Sequence, residues 1–356
     1  MAVLWMNLFM VFLSSFMARY FSKPLADSIT YVKPNKLLIL ISMFSLVMVS
    51  GLRNNIGDTY FYMHSYFLME DSNLQNIKLE GEFGFNILQS ILRSISDDPQ
   101  LLVFTTALIT NVLIVITLYK YSRMIELSLY VYIASGLYTV SMNGIRQSLA
   151  AAMIFLATKY IIDGNFKKFL FVVLLASTIH QSALIFIPVY FIVRRKAWTR
   201  DTYILLGLGV LVVAAFNEFS QILFSALEDT KYGEYSEVNE GGSSLLRVAV
   251  NATPLVIAFF GKEKLRELWP QSDYIVNLVT LGVVFLIIAT KNWIFARFNI
   301  YFGLYSLILV SWLVVLMAKQ DRKFVYYSIL ICYLIFYIYE QVIALEIVYR
   351  SDYLIW

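Results

Sequence analysis

Four arginines and a histidine are the side chains here whose types and settings could do chemistry: Arg53, Arg146, Arg247, Arg297 and His180. Each lies beside or within an apolar run, where an ionisable group is costly to hold and usually marks a pathway or a site. Arg146 stands at the first turn of an apolar helix in NGIRQSLAAAMIFL. A positive charge there opposes the helix dipole, and a purely structural choice would be acidic. A guanidinium converging with the N–H groups of a helix start makes an anion site. Arg297, in KNWIFARFNIYF, follows the same logic. Arg247 opens a helix after an acidic stretch, so it is either another anion ligand or the partner of Glu237 or Glu240. Arg53 is either a site residue or a cation snorkelling to headgroups. Asp58, five residues on, either pairs with Arg53 or takes a proton from a sugar hydroxyl. His180 could serve as general base or as hydrogen-bond donor to substrate. Several cations gathered on one face would suit a lipid diphosphate, which is forked and multiply charged.

Other chemistries find no support. No Walker motif, dinucleotide fingerprint, zinc signature or nucleophile elbow occurs. With two histidines and one cysteine, Cys332, inside an apolar run, a multi-His or thiolate metal site and a disulfide are excluded. No cofactor, metal or nucleic-acid partner is expected.

The elements that must hold these residues are apolar helices. The 356 residues are 60% hydrophobic and 15% charged, with a mean hydropathy of +0.70, against about 25% charged in a soluble domain. Apolar runs recur at roughly 2–19, 36–52, 99–119, 127–142, 146–163, 169–193, 202–219, 244–260, 274–290, 298–318 and 324–346. Each complete run can cross a hydrocarbon core of about 30 Å, and no alternating barrel pattern appears. The expectation is an all-α polytopic membrane protein of 11–12 segments, a single integral membrane domain over 1–356, with the first run retained as a span instead of cleaved as a signal peptide. Asp98-Pro99 supplies a cap and a first-turn proline for the third run.

Lys and Arg accumulate on the cytoplasmic side. The 19–36 loop holds Arg19, Lys23, Lys33 and Lys36, whereas 53–98 has three basic and seven acidic residues, so the first is inside and the second outside. Carried forward, this alternation fails at one point. A single crossing by 169–193 would put Arg194, Arg195, Lys196 and Arg200 outside. If the segment turns back, both flanks are cytoplasmic, and 19 of the 28 Lys and Arg lie inside. Twenty-five residues are too few for two full spans, since helices of about 11 residues reach only about 16 Å each. The prediction is a re-entrant hairpin of short helices with its turn near His180-Gln181-Ser182, a break tolerated only inside protein or beside a wet cavity. Arg53, Arg146, Arg247, Arg297 and His180 then face one external cavity.

Two external loops stand out. In 53–98, Phe83, Ile87, Leu88, Ile91, Leu92 and Ile95 share a helical face, which predicts an amphipathic helix over 83–95 on the outer interface. The aromatic DTYFYMHSYF before it is either an interfacial belt or a set of rings that stack on sugars. The loop 220–243 contains a polar, glycine-bearing stretch that reads as an external lid.

Taken together, Asn143-Gly144-Ile145-Arg146-Gln147 with Ala150 and Ala151, and His180-Gln181-Ser182-Ala183-Leu184 with Pro188, resemble the core of the EpsG-type exopolysaccharide proteins, grouped with Wzy-like polymerases of capsule, O-antigen and exopolysaccharide synthesis. Gly51-Leu52-Arg53-Asn54-Asn55-Ile56-Gly57-Asp58 with Tyr60 resembles the family's first external motif, and Arg297 with Tyr301 its late Arg-aromatic motif. The likeness covers roughly 45–305. One departure is the order Gly57-Asp58-Thr59-Tyr60, where the family commonly has Gly-Thr-Asp-Tyr; the carboxylate is shifted by one.

The resemblance implies a bacterial inner-membrane protein that joins sugar repeat units carried on undecaprenyl diphosphate, working on the periplasmic or exterior face. Donor and acceptor glycolipids are the implied partners, with a flippase and a chain-length regulator as possible companions. It adds Gln147, Tyr60 and Tyr301 to the substrate-binding set of Arg53, Arg146, Arg247 and Arg297. The catalytic set is Arg146 with His180 or Asp58 as base, in an inverting glycosyl transfer. The rival readings are a flippase of lipid-linked oligosaccharide, a ligase or acyltransferase, and a non-catalytic scaffold.

Overall fold

A computed structural model describes residues 1–25, 30–69, 81–226 and 241–354. The chain is an all-α polytopic membrane protein, 77% helical. Among the described residues the one sheet is a two-residue antiparallel pairing of Lys23–Pro24 with Val32–Lys33.

Helices α1 (Ala2–Tyr20) and α2 (Lys36–Gly51) run antiparallel. Small polar residues let them approach: Ser14 and Ser42 hydroxyls meet at 2.7 Å, and Ser45 donates to Asn7. Short α3 (Thr59–Phe67) and α4 (Phe83–Arg93) precede α5 (Gln100–Tyr121), whose start is held by Asp98, a carboxylate oxygen accepting from the Gln100 N–H. Next come α6 (Ile125–Ala134), α7 (Leu137–Asn143), α8 (Ile145–Leu156) and α9 (Thr158–Ile162). After α10 (Phe166–Ile179) and α11 (Phe186–Val193) the chain forms α12 (Arg200–Ala214) and α13 (Phe216–Ala226). The last third holds α14 (Leu245–Phe260), α15 (Lys262–Leu268), α16 (Ser272–Ala289), α17 (Asn299–Leu316) and α18 (Arg322–Tyr337), the last extended by π-helix over Ile338–Ala344.

Helices α16 and α17 form the centre and are buried along most of their length, as helices apolar all round should be. Outward-facing Phe9, Phe44, Phe171, Phe260 and Phe324 leave the bundle an apolar exterior suited to lipid.

The division into spans is less regular than the sequence suggests. Among the described residues five helices are long and apolar enough to cross a membrane, or seven if two bent pairs count as single spans. The shorter apolar helices include Lys36–Gly51, Ile145–Leu156 and Gln181–Val193. The expected 127–142 span is α6 and α7, bent by 55° at Ser135-Gly136, where Gly136 takes the left-handed conformation (φ 83°) that ends a helix. The expected 146–163 span is divided between α8 and α9 at Ala157.

The predicted hairpin is present. The Phe166 ring lies 5.0 Å from Tyr190 and 4.8 Å from Phe191. A straight helix would hold Phe166 and Tyr190 about 36 Å apart. Gly164 abuts the Arg194 guanidinium, so both ends of the segment sit together. The chain reverses at His180, which is extended (φ −151°, ψ 117°), and continues through a 3-10 turn, Gln181–Ile185.

The amphipathic helix is also present as α4. Phe85 and Leu92 are buried with Tyr66, Leu102 and Ile145, whereas Ile91 and Ile95 are exposed. Its rotation is set by Gly84, where a Cβ would lie 2.1 Å from Thr178 Oγ1. The helix therefore rests its glycine face on the hairpin tip.

Candidate functional site

Four helix interruptions converge. Ser135 lies at the α6–α7 bend, Gly144 between α7 and α8, His180 at the hairpin tip, and Trp293 in a 3-10 turn, Trp293–Phe298, that leads into α17. All four residues line one cavity of about 620 Å³. Broken backbone at such places is tolerable because protein or a cavity takes up the freed polar groups. The same walls carry Asp58, Arg146, Gln147, Arg247, Arg297 and Glu340.

Arg146 stands on the first turn of α8, just after Gly144. Its Nη1 donates to Glu82 Oε2 at 2.7 Å, and its side chain keeps 40% exposure. The rings of Tyr62 and Phe85 lie within 6 Å of it, a cation–π setting that fixes its plane. Glu82, just before α4, also accepts from the Gln181 N–H at 3.2 Å and lies 3.9 Å from His180 Nε2. One buried carboxylate thus joins the α4 start, the α8 start and the hairpin tip.

His180 is oriented from its other side. Its Nδ1 is 2.7 Å from Ser182 Oγ, and that hydroxyl is 2.9 Å from Tyr301 OH. Tyr301 is 1% exposed, so it touches the site through Ser182, as a support and not as a wall. Gln147 donates to the backbone carbonyl of Arg297 at 3.0 Å, tying α8 to the 3-10 turn. Arg297 lies over the Trp293 ring at 4.8 Å. Arg247 donates through Nε to Glu340 Oε1 at 3.0 Å and makes a second bond to the same oxygen through Nη2. Gln341, beside Glu340, accepts from Thr139 at 2.7 Å and so anchors the π-helix to α7.

Asp58 reaches the cavity from the loop after α2. Its N–H donates to Asn143 Oδ1, and Gly57 (φ 56°) brings the backbone so close that a Cβ would lie 2.2 Å from that oxygen.

Besides Tyr301, two expected ligands are placed away from the cavity walls. Arg53 is 1% exposed and donates to the carbonyls of Ser50 and Met142 and to Thr59 Oγ1. Burial lowers its pKa from the usual arginine value to about 10. Its guanidinium spends its donors clamping the α2–α3 loop to the end of α7, so it neither snorkels nor lines the cavity. Tyr60 is 64% exposed and stacks on His64, away from the cavity walls. The alternative partners of Arg247, Glu237 and Glu240, lie outside the described residues, as does most of the expected lid.

The EpsG family matches residues 36–351, nearly the whole chain. The chain belongs to the EpsG family. No curated protein and no solved structure matches it significantly. At the level of the family, EpsG membership supports an exopolysaccharide-related polymerase in a membrane.

Two carboxylates that hold site residues of this EpsG-family chain escaped sequence reasoning. Glu82 is one of seven acids in a long loop, with nothing local to single it out. Glu340 did carry a signal, an acid inside the apolar run LICYLIFYIYEQVIALEIVY. The structure adds a π-helix around it, a kind of segment frequent at functional sites. Chemically, the cavity offers three arginines held in place by neighbouring groups, a histidine whose ring is fixed through Nδ1, and carboxylates that an incoming anion must displace from Arg146 and Arg247.

Proposed function

We propose that the chain is an inverting membrane glycosyltransferase that polymerises oligosaccharide repeat units carried on a polyprenyl diphosphate, such as undecaprenyl diphosphate, into exopolysaccharide, capsule or O-antigen. The observation that carries this reading is the convergence of Arg146, Arg247, Arg297 and His180 on one cavity. The donor diphosphate sits among the arginines, which take up the charge that develops as it leaves. The acceptor hydroxyl oxygen forms a bond to the donor anomeric carbon as the bond from that carbon to the phosphate oxygen breaks, and the single displacement inverts the centre. The hydroxyl proton passes to His180 Nε2, which is the basic nitrogen in the tautomer whose Nδ1–H donates to Ser182 Oγ. Glu82 then faces the imidazolium. Asp58, on the same wall, is the alternative base. With this assignment the cavity opens to the periplasm or exterior of the bacterial inner membrane.

The test is purified protein with a synthetic lipid-linked repeat unit. A ladder of products is expected, and Arg146→Ala should abolish it while the protein stays in the membrane; undiminished polymer from that variant would sink the proposal. The converging helix breaks also suit a transporter of the same lipid-linked glycan. That reading predicts movement across sealed vesicles with no ladder.

A further inference from the structure

A second cavity, of about 440 Å³, lies at the other end of α17 and α18. Helix α17 begins on the first cavity at Asn299 and Ile300 and ends on the second at Val314 and Val315, a separation of ~22 Å at the helical rise per residue. The charge count assigns this end to the cytoplasmic side. Among the described residues its charged walls are all cationic: Arg19 at the end of α1, Arg123 between α5 and α6, and Arg322 and Lys323 at the start of α18. Its other walls are largely apolar and include Phe16, Met124, Val314 and Val315.

The arginines are held in place from behind. Arg19 pairs with Glu126, which is 0% exposed, at 2.5 Å. Arg123 Nη1 donates to the Thr30 carbonyl at 2.6 Å, and Arg322 donates to the carbonyls of Val315 and Met317, both at 3.3 Å. Neutral carbonyls fix a guanidinium without cancelling its charge. Burial, together with like-charged Arg19 and Arg322, lowers the pKa of Arg123. Glu126 offsets Arg19, and the other cations crowded into the concavity repel one another unless a further anion enters among them.

We propose that this cavity holds the phosphate of an anionic phospholipid, with Arg19, Arg123, Arg322 and Lys323 around the phosphate and Phe16, Met124, Val314 and Val315 against the start of the acyl chains. Basic pockets between membrane helices on the cytoplasmic side are suited to such headgroups, and the apolar wall favours a lipid over a free anion. The site is separate from the glycan cavity and does not depend on the activity assigned there.

The experiment uses the full chain, purified and stripped of lipid in detergent, with binding of phosphatidylglycerol, phosphatidylcholine and inorganic pyrophosphate read by native mass spectrometry. Phosphatidylglycerol should bind at least about tenfold more tightly than phosphatidylcholine. Lys323→Gln, an exposed change that leaves the arginine bonds intact, should weaken it about fivefold, and Arg123→Gln with Lys323→Gln about 25-fold. Lys291→Gln, which lines neither cavity, should change nothing. Equal binding of the two lipids, or a folded double variant with wild-type affinity, overturns the proposal. Pyrophosphate binding as tightly as phosphatidylglycerol overturns the lipid assignment and gives the site to a soluble phosphate.

Discussion

Replacing Glu82 with Gln separates the roles of the two groups it touches. The amide keeps an oxygen for the Gln181 N–H and nearly the same shape, but removes the charge facing Arg146 at 2.7 Å and His180 at 3.9 Å. If His180 takes the acceptor proton, Glu82 stabilises the imidazolium of the transition state. At 3.9 Å, and with an effective dielectric constant of about 20 to 40 for a partly exposed site, that attraction is about 2–4 kcal/mol. Its loss lowers kcat about 30- to 1000-fold. Binding moves the opposite way. Arg146 is 40% exposed, so its pair with Glu82 is worth about 1 kcal/mol after solvent screening. Freed from that carboxylate it meets the diphosphate with one competitor fewer, and KM for the donor falls about fivefold. The assay is initial-rate elongation of a lipid-linked repeat unit across donor concentrations, with Glu82→Asp expected between wild type and Glu82→Gln. An unchanged kcat, or a raised KM like that of an arginine knockout, would refute the role given to Glu82.

Arg53→Gln should act on stability and not on donor affinity. It strips donors from the Ser50 and Met142 carbonyls in a fully buried setting, at a cost of about 2–3 kcal/mol; a lower unfolding temperature in detergent with unchanged donor KM is the expected pair of results. With Cys332 replaced by Ser, cysteines at Lys167 and Lys196 should react with an impermeant thiol reagent from one side of sealed vesicles and a cysteine at Tyr60 from the other. Labelling of Lys167→Cys and Lys196→Cys from opposite sides would show that the segment crosses outright.

What the sequence made legible, and what it hid, divides along one physical line. The hairpin was readable because its cause is a one-dimensional quantity, the placement of Arg194, Arg195, Lys196 and Arg200 along the chain. Arg146, Arg247 and Arg297 were readable because a cation at a helix start or on the acidic side is locally anomalous. No such anomaly distinguishes Arg53 from them. Its different fate comes from Met142 and Thr59, whose oxygens reach it only in the folded chain. Glu82 was hidden for the converse reason, because its partners Arg146 and His180 lie 64 and 98 positions away. The same argument explains why the cavity is built from breaks. The helix interruptions at Gly144, His180 and Trp293 each bring a residue to the same wall. Under the proposed function the donor diphosphate trades partners with Glu82 and Glu340, so freed carboxylates and diphosphate share one cavity and the arginines must offset both.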